Sequence, residues 1–143
     1  NIKYQNDFHR SIPFDLIAKL LDVSGACFYS LQVERLDTAA KTIAEGTLID
    51  IGTRFTDFYD TADAISQLDL VISVDTSVAH LAGALGTPVW VLLPQASDWR
   101  WLLNRSDSPW YPTMRLFRQS APGDWKTVID DAAIALEEFV YNT

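Results

Sequence analysis

The sequence LDLVISVDTSVAHLAGALGTPVWVLLP, residues 68–94, predicts a strand, a helix and a second strand in direct succession. Leu70–Val74 and Val89–Leu93 are short apolar runs rich in β-branched residues, which is typical of strands buried on both faces of a parallel sheet. Between them, Val78–Leu85 is rich in alanine and leucine, and Gly86 stands where a helix commonly ends in a left-handed residue. This strand–helix–strand unit indicates an α/β fold.

The residues between the first strand and the helix are small and polar. Asp75, Thr76 and Ser77 each suit a helix N-cap, and His80 shares a helix face with Ser77 because three residues separate them. Ligands of open parallel sheets bind beyond the carboxyl ends of the strands, where a helix N-terminus favours phosphate. The stretch therefore predicts a site for a phosphorylated ligand, although an ordinary cap with a half-buried core histidine explains the same residue types.

The rest of the chain alternates helix-like and strand-like segments. Further helices are predicted at residues 12–21, 61–68 and 125–141, further strands at residues 26–32, 48–51 and 114–119, a short helix or irregular segment at 34–45, and a tryptophan-rich loop at 95–112. This order predicts one domain over residues 1–143 with a doubly wound, Rossmann-like parallel sheet in three layers, α/β/α. The glycine-rich motifs of dinucleotide and nucleoside-triphosphate sites are absent from the sequence.

Three further side chains are expected near the same edge of the sheet. Gln32 ends a predicted strand, Thr61 begins a predicted helix, and Arg100 lies in the tryptophan-rich segment. A guanidinium binds a diphosphate well through two parallel hydrogen bonds, but pairing of Arg100 with Asp98 is an equal alternative. The aromatic run Arg54–Tyr59 either stacks on a nucleobase or covers the core, and covering the core is favoured.

A long motif in the central stretch resembles that of a known family. Asp75-Thr76-Ser77-x-x-His80-Leu81-Ala82-Gly83-Ala84-x-Gly86-x-Pro88 is similar to the signature of the nucleotide-sugar-binding half of family 9, heptosyltransferase-like, glycosyltransferases. The resemblance is strongest to the versions found at the carboxyl end of tetratricopeptide-repeat proteins. Shorter matches follow the family's order at Arg10–Pro13, Ser30–Gln32, Pro94, Asp98–Leu103 and Asp107–Pro112.

The resemblance implies a glycosyltransferase of GT-B architecture, in which this chain is the donor-binding domain. Thr76 and Ser77 would then hold the diphosphate of a nucleotide-sugar, His80 would donate to the diphosphate or the sugar, and Asp75 would cap the helix or accept from a sugar hydroxyl. The expected substrate-binding residues are Asp75, Thr76, Ser77, His80, Arg10, Ser11, Gln32, Thr61 and Arg100. No metal or cofactor is expected beyond the nucleotide-sugar.

The resemblance also implies parts that this sequence does not contain. A hydrophobic strand at the centre of the family's sheet precedes the Arg-Ser pair, so we expect a fragment whose sheet lacks this strand. The catalytic base is not identified, and the acceptor is expected to lie on another domain, either an amino-terminal domain or tetratricopeptide repeats. The isolated domain is therefore expected to bind without turnover, and its exposed sheet edge favours association with a second copy.

Composition limits the partners and the compartment. The formal net charge is −8, which disfavours nucleic acid and anionic membranes as partners. No apolar run approaches the ~18 residues of a membrane span, so the expected location is the cytoplasm. Cys27 stands alone in an apolar run and is expected to be a small buried hydrophobe. Two histidines and one cysteine are too few and too scattered for a structural zinc site.

Three alternatives compete with a donor-binding domain. Asp75, Ser77 and His80 have the residue types of a hydrolase triad, but the chain lacks a Gly-x-Ser-x-Gly elbow and Asp75 is expected on the far side of His80. The stronger rival is a non-catalytic, glycosyltransferase-like interaction module. A site plugged by Trp99 or Trp101 would favour the module, and an open site would favour the enzyme. The third is an unrelated nucleotide-binding α/β domain.

Overall fold

The computed structural model describes residues 11–33 and 45–143, so Arg10 and all but the last residue of the predicted segment 34–45 lie outside it. Within these ranges the chain forms two compact units. The first unit contains residues 13–33, 45–61 and 129–143, and the second contains residues 11–12 and 62–128.

The first unit begins with a helix and a pair of short parallel strands. Helix α1 spans Phe14–Leu21, and the ammonium group of Lys19 lies 3.3 Å from a carboxylate oxygen of Asp130 in the same unit. Strand β1 (Phe28–Ser30) pairs in parallel with strand β2 (Leu48–Asp50). A helix followed by a strand therefore appears where the apolar periodicity predicts this order.

The strand predicted at residues 26–32 is present but shorter, and the prediction of a buried cysteine is wrong. Strand β1 contains only three residues, and Cys27 lies outside it and is exposed, because the apolar run is longer than the strand that it forms.

The chain folds closely on itself beyond the strands. A Cβ atom on Gly52 would lie 2.4 Å from the carbonyl oxygen of Gln32, so only glycine fits there without a shift of the backbone.

Helix α2 spans Phe58–Ser66 and begins three residues before the predicted start at Thr61. The Asp57 carboxylate accepts hydrogen bonds from the backbone N–H groups of Tyr59 and Asp60, at 2.8 and 3.0 Å. These are the bonds by which an N-cap residue satisfies the first amides of a helix. The cap is therefore Asp57, and the predicted cap pair Asp60-Thr61 lies inside the helix.

The second unit is built on a three-stranded parallel sheet. Its strands are β3 (Val71–Val74), β4 (Val89–Leu93) and β5 (Met114–Arg118), in the order β3-β4-β5. The register places Val89 opposite both Val71 and Met114. Every residue of β4 is buried, as its apolar run predicts, whereas β3 is only partly buried and so departs from the prediction.

Two helices follow strands of this sheet. Helix α3 spans Ser77–Leu85 and ends at Gly86, which has the expected left-handed backbone with φ 76° and ψ 8°. Helix α4 spans Trp125–Tyr141, as predicted. The buried apolar side chains of the second unit are Ile65, Val71, Ala79, Ala82, Val89, Trp90, Val91, Leu92, Leu93, Trp101, Met114, Leu116, Phe117, Trp125 and Val128.

Parallel strands alternate with helices along the described chain, which confirms the predicted α/β, Rossmann-like class. None of the helices in residues 11–33 and 45–143 combines the length and the apolar character needed to cross a bilayer.

Candidate functional site

The turn between β3 and α3 sets the start of the helix. Thr76 has an extended backbone, with φ −138° and ψ 169°, and takes the N-cap position, so α3 begins at Ser77. The Thr76 hydroxyl lies 3.0 Å from the Ser73 hydroxyl and does not cap the helix. The Thr76 carbonyl accepts from the N–H groups of Ala79 and His80, at 3.1 and 3.4 Å. The amides of the first two helical residues therefore have no acceptor within the helix.

Ser77 carries the accessible hydroxyl of this helix start. The residue is exposed, and its hydroxyl makes no hydrogen bond to any part of the chain that the structure describes. The partial positive charge and the first N–H groups of α3 lie beside it. An anion at this point can therefore receive hydrogen bonds from a hydroxyl and from backbone amides together.

The His80 imidazole, one turn further along α3, is held by two aromatic rings. It stacks on Trp101 with ring centroids 5.2 Å apart and an angle of 24°, and it meets the edge of Tyr111 with centroids 5.8 Å apart. Its Nδ1 atom lies 3.2 Å from the Tyr111 hydroxyl. The side chain nevertheless remains 35% exposed, so a ligand has access to the ring.

The expectation that Asp75 lies on the far side of His80 is wrong. A carboxylate oxygen of Asp75 is 3.6 Å from His80 Nε2, because α3 begins between the two residues and both side chains lie beside its first turn. This distance suits an electrostatic contact but exceeds that of a hydrogen bond. A triad with Ser77 is still not formed, since Nδ1 of the imidazole faces Tyr111. Across residues 11–33 and 45–143, no group of three potential metal ligands is assembled.

The tryptophan-rich segment contains regular structure that the loop prediction missed. Trp99–Trp101 forms a 3₁₀ turn, and the Asp98 carboxylate accepts the backbone N–H of Arg100 at 3.0 Å. The Arg100 guanidinium lies 2.9 Å from the same carboxylate and 5.2 Å from the centre of the Trp99 ring. The predicted alternative, in which Arg100 pairs with Asp98, is therefore the arrangement that the structure contains.

Arg118, at the end of β5, fixes this segment and was not predicted. Its guanidinium donates to the backbone carbonyls of Trp101 and Leu102, at 3.1 and 2.7 Å, and to the hydroxyl of Ser97. Burial lowers the pKa of Arg118 from its usual value. Leu102 has a positive φ of 50°, so the guanidinium supports a backbone that is strained for this residue type.

Replacing Arg118 by alanine is expected to destabilise the chain by about 1–3 kcal/mol, because three acceptors lose their donor and two of these hydrogen bonds are partly buried. Amide hydrogen exchange in residues 97–103 should accelerate more than exchange in β4, since the guanidinium holds that segment. Arg118→Lys should restore only part of the protection from hydrogen exchange, because lysine lacks the planar guanidinium group that donates to several acceptors at once. The exposed Arg54 supplies the control, as Arg54→Ala. Unchanged exchange in residues 97–103 of Arg118→Ala would contradict this role.

Tyr111 is the second side chain of the site that sequence reasoning did not single out. Its ring lies against Gly83, where a Cβ atom would come within 2.6 Å of the Tyr111 Cγ atom. Gly83 follows His80 by three residues and so shares its helix face. A glycine inside a helix can indicate that another group packs closely against it, but the sequence does not show that this group is the Tyr111 ring.

The structure brings together part of the predicted site. Four of the predicted substrate-binding residues, Asp75, Thr76, Ser77 and His80, lie in the β3–α3 turn or in the first turn of α3. Arg100 directly precedes Trp101, which stacks on His80. These residues all belong to the second unit.

Of the remaining predicted residues, Gln32 and Thr61 lie in the first unit and Ser11 lies in the second. Gln32 is exposed and belongs to the first unit, as does Thr61, whose hydroxyl is buried and donates to the Asp57 carbonyl at 3.3 Å. Ser11 is exposed, and Arg10 lies outside the described residues. A role for these four residues in binding stays a prediction.

Comparison with known proteins identifies the family. The profile of glycosyltransferase family 9 (heptosyltransferase) matches residues 28–105, which contain β1 and the complete β3–α3–β4 unit. Protein FlbA of Caulobacter vibrioides is 32% identical over 132 residues, which cover 89% of this chain and 22% of the relative. The chain thus spans about a fifth of the length of that relative. No solved structure matches the chain. On these matches, the chain belongs to glycosyltransferase family 9.

Proposed function

We propose that the chain binds the diphosphate of a nucleotide-sugar at the start of α3, as the donor-binding part of a glycosyltransferase. The observation that carries the proposal is the exposed Ser77 hydroxyl on the first turn of a nine-residue helix that follows a parallel strand. Fixed donors at this position would stabilise the charge that builds on the leaving nucleotide diphosphate. Membership of a glycosyltransferase family supports a donor of this chemical class.

The charge of Asp75 is the main obstacle to an anionic ligand here. Its carboxylate lies in the turn that leads into α3, in a chain with a formal net charge of −8. The His80 imidazole is 3.6 Å away and, when protonated, offsets that charge. In its charged form His80 therefore serves the site in two ways: it offsets the charge of Asp75, and it offers Nε2–H as a further donor to a phosphate oxygen.

The proposal does not give this chain the whole reaction. The proposal assigns the residues at the start of α3 to the diphosphate and not to the base that deprotonates the acceptor, because Ser77 and Nε2 of His80 are the proposed donors to phosphate oxygens. The acceptor and the base are assigned to another part of a longer protein. The 143-residue chain is then expected to bind the donor without transferring the sugar.

Calorimetric titration of the chain with UDP, ADP and GDP tests the proposal. One of the three should bind, and Ser77→Ala should weaken that binding about tenfold, the effect of losing one hydrogen bond to a charged group. Ser24→Ala, another exposed serine in the first unit, is the matched control and should bind as the wild type does. Failure of all three nucleotides to bind, or equal affinity of Ser77→Ala and wild type, would contradict the proposal.

A second candidate function is a non-catalytic interaction module. It is favoured by the exposed apolar side chains that follow and precede the buried Trp101. These side chains are Trp99, Leu102, Leu103 and Trp110, with exposures of 70%, 41%, 75% and 56%. Aromatic residues at such exposure are typical of protein contact surfaces. Trp101 itself packs on one face of His80 and leaves Ser77 exposed, which supports the donor site over the module.

A further inference from the structure

The two nitrogen atoms of His80 have different surroundings. Nδ1 lies 3.2 Å from the Tyr111 hydroxyl, at hydrogen-bond distance. Nε2 lies 3.6 Å from a carboxylate oxygen of Asp75, beyond that distance. Nδ1 is therefore engaged within the protein, while Nε2 keeps the capacity to bond to a ligand.

The chemistry of the neighbours decides which nitrogen carries the proton in the neutral ring. A carboxylate only accepts hydrogen bonds, so Asp75 favours a proton on Nε2. A phenol both donates and accepts, so the Tyr111 hydroxyl donates to a bare Nδ1 and can accept from it when the ring is charged. Tyr111 thus satisfies Nδ1 in both protonation states without movement of the imidazole.

The position of Tyr111 is itself fixed by packing. The atoms of its ring nearest to Gly83 would lie 2.6 and 2.9 Å from a Cβ atom at that position, so the ring fills the space that glycine leaves on α3. On the other side of the cluster, Trp101 is 1% exposed and stacks on the His80 ring. Asp98 and Arg100, which precede Trp101 in the chain, pair with each other, and the Arg118 guanidinium donates to the Trp101 carbonyl at 3.1 Å.

We propose that Tyr111 is a positioning residue of this site, which binds Nδ1 of His80 and thereby makes Nε2–H the ring donor available to a ligand. The hydrogen bond between Tyr111 and His80 is inferred from the interatomic distance in the structure alone. The consequence for a diphosphate ligand rests on the proposed function. Tyr111 lies outside residues 28–105, so the family match does not assign it a role.

Nitrogen-15 NMR of the His80 ring tests the positioning directly. The chain has two histidines, so His9→Gln leaves one imidazole to observe. At a pH where the ring is neutral, we expect the proton on Nε2 and the Nδ1 resonance of a hydrogen-bonded acceptor. Tyr111→Phe should move that resonance toward the position of a bare nitrogen. Tyr141→Phe removes a hydroxyl from a residue that is 90% exposed, and it should leave the resonance unchanged.

Gly83→Ala provides a second variant that leaves both rings chemically intact. Its new methyl group must displace Tyr111, so the Nδ1 resonance should shift in the same direction as in Tyr111→Phe. Circular dichroism would establish that both variants are folded. A proton on Nδ1 in the wild type, or an Nδ1 resonance that Tyr111→Phe leaves in place, would overturn the assignment.

Ligand affinity tests whether Tyr111 acts through His80. With the nucleoside diphosphate that binds the wild type, Tyr111→Phe should weaken binding about two- to tenfold, the effect of one neutral hydrogen bond. In a His80→Gln background the same change should have no further effect, because the group that Tyr111 positions is gone. Additive losses would overturn a role through His80. If no nucleotide binds the wild type, the proposed function fails, whereas the NMR result still shows whether Tyr111 bonds to Nδ1 of His80.

Discussion

Replacing Trp101 by alanine is expected to lower the free energy of unfolding by about 3–5 kcal/mol, the largest loss among the substitutions considered. Trp101 is 1% exposed and is the largest fully buried side chain in the described chain. Alanine leaves a cavity beside His80, which loses the ring on which it stacks at 5.2 Å. Urea denaturation followed by circular dichroism measures the loss, and any nucleotide binding should weaken with it.

Two variants separate the contribution of Trp101 from that of an exposed tryptophan. Trp99, in the same 3₁₀ turn, is 70% exposed, so Trp99→Ala should change stability by no more than about 0.5 kcal/mol. The Trp101 Nε1–H is buried without a hydrogen-bond partner among the described residues, so Trp101→Phe removes an unsatisfied group while keeping an aromatic ring. Equal losses for Trp99→Ala and Trp101→Ala would show that Trp101 is not the anchor of this segment.

Ser77→Asp introduces a negative charge at the start of α3 and is expected to weaken diphosphate binding while leaving the fold intact. Two like charges 4 Å apart repel by about 1 kcal/mol in bulk water and about 4 kcal/mol near a protein surface, so affinity should fall at least about fivefold. Stability should change by less than about 1 kcal/mol, because an acidic residue in the first turn interacts well with the helix dipole but lies near Asp75. Calorimetric titration and urea denaturation of the same sample measure both quantities.

The control for this prediction is Ser77→Asn, which matches the size of aspartate without its charge. It should bind the nucleotide more tightly than Ser77→Asp, by the same factor of at least about fivefold. If both variants bind equally, steric exclusion explains the loss and the electrostatic account of the α3 start is wrong. If Ser77→Asp binds like the wild type, the diphosphate does not lie at Ser77.

Local patterns were sufficient to predict the centre of this fold. The β4 strand is buried at every residue, as is typical of a continuous apolar run at the centre of a parallel sheet. Gly86 ends α3 in the left-handed conformation because that conformation costs glycine little. The placement of Thr76, Ser77 and His80 around the start of α3 follows from the same strand-to-helix register.

Other features depend on partners that are distant in sequence or on competition between adjacent caps. Tyr111 and Arg118 contact the site through residues 31 and 17 positions away, which single-sequence periodicity does not reveal. At α2, both Asp57 and Asp60 are suitable caps, and Asp57 takes that position. Asp60 instead accepts hydrogen bonds from the amide and hydroxyl of Thr56, which lower its pKa.

The most direct test of the central claim is to titrate the ¹⁵N-labelled chain with UDP, ADP and GDP and to follow the backbone amide resonances. We predict that one nucleotide shifts the amides of Ser77 and Val78 most strongly, with smaller shifts at His80 and Trp101 and none across α1. The absence of shifts at Ser77 and Val78 with all three nucleotides, or a set of shifts centred on another part of the chain, would contradict a diphosphate site at the start of α3.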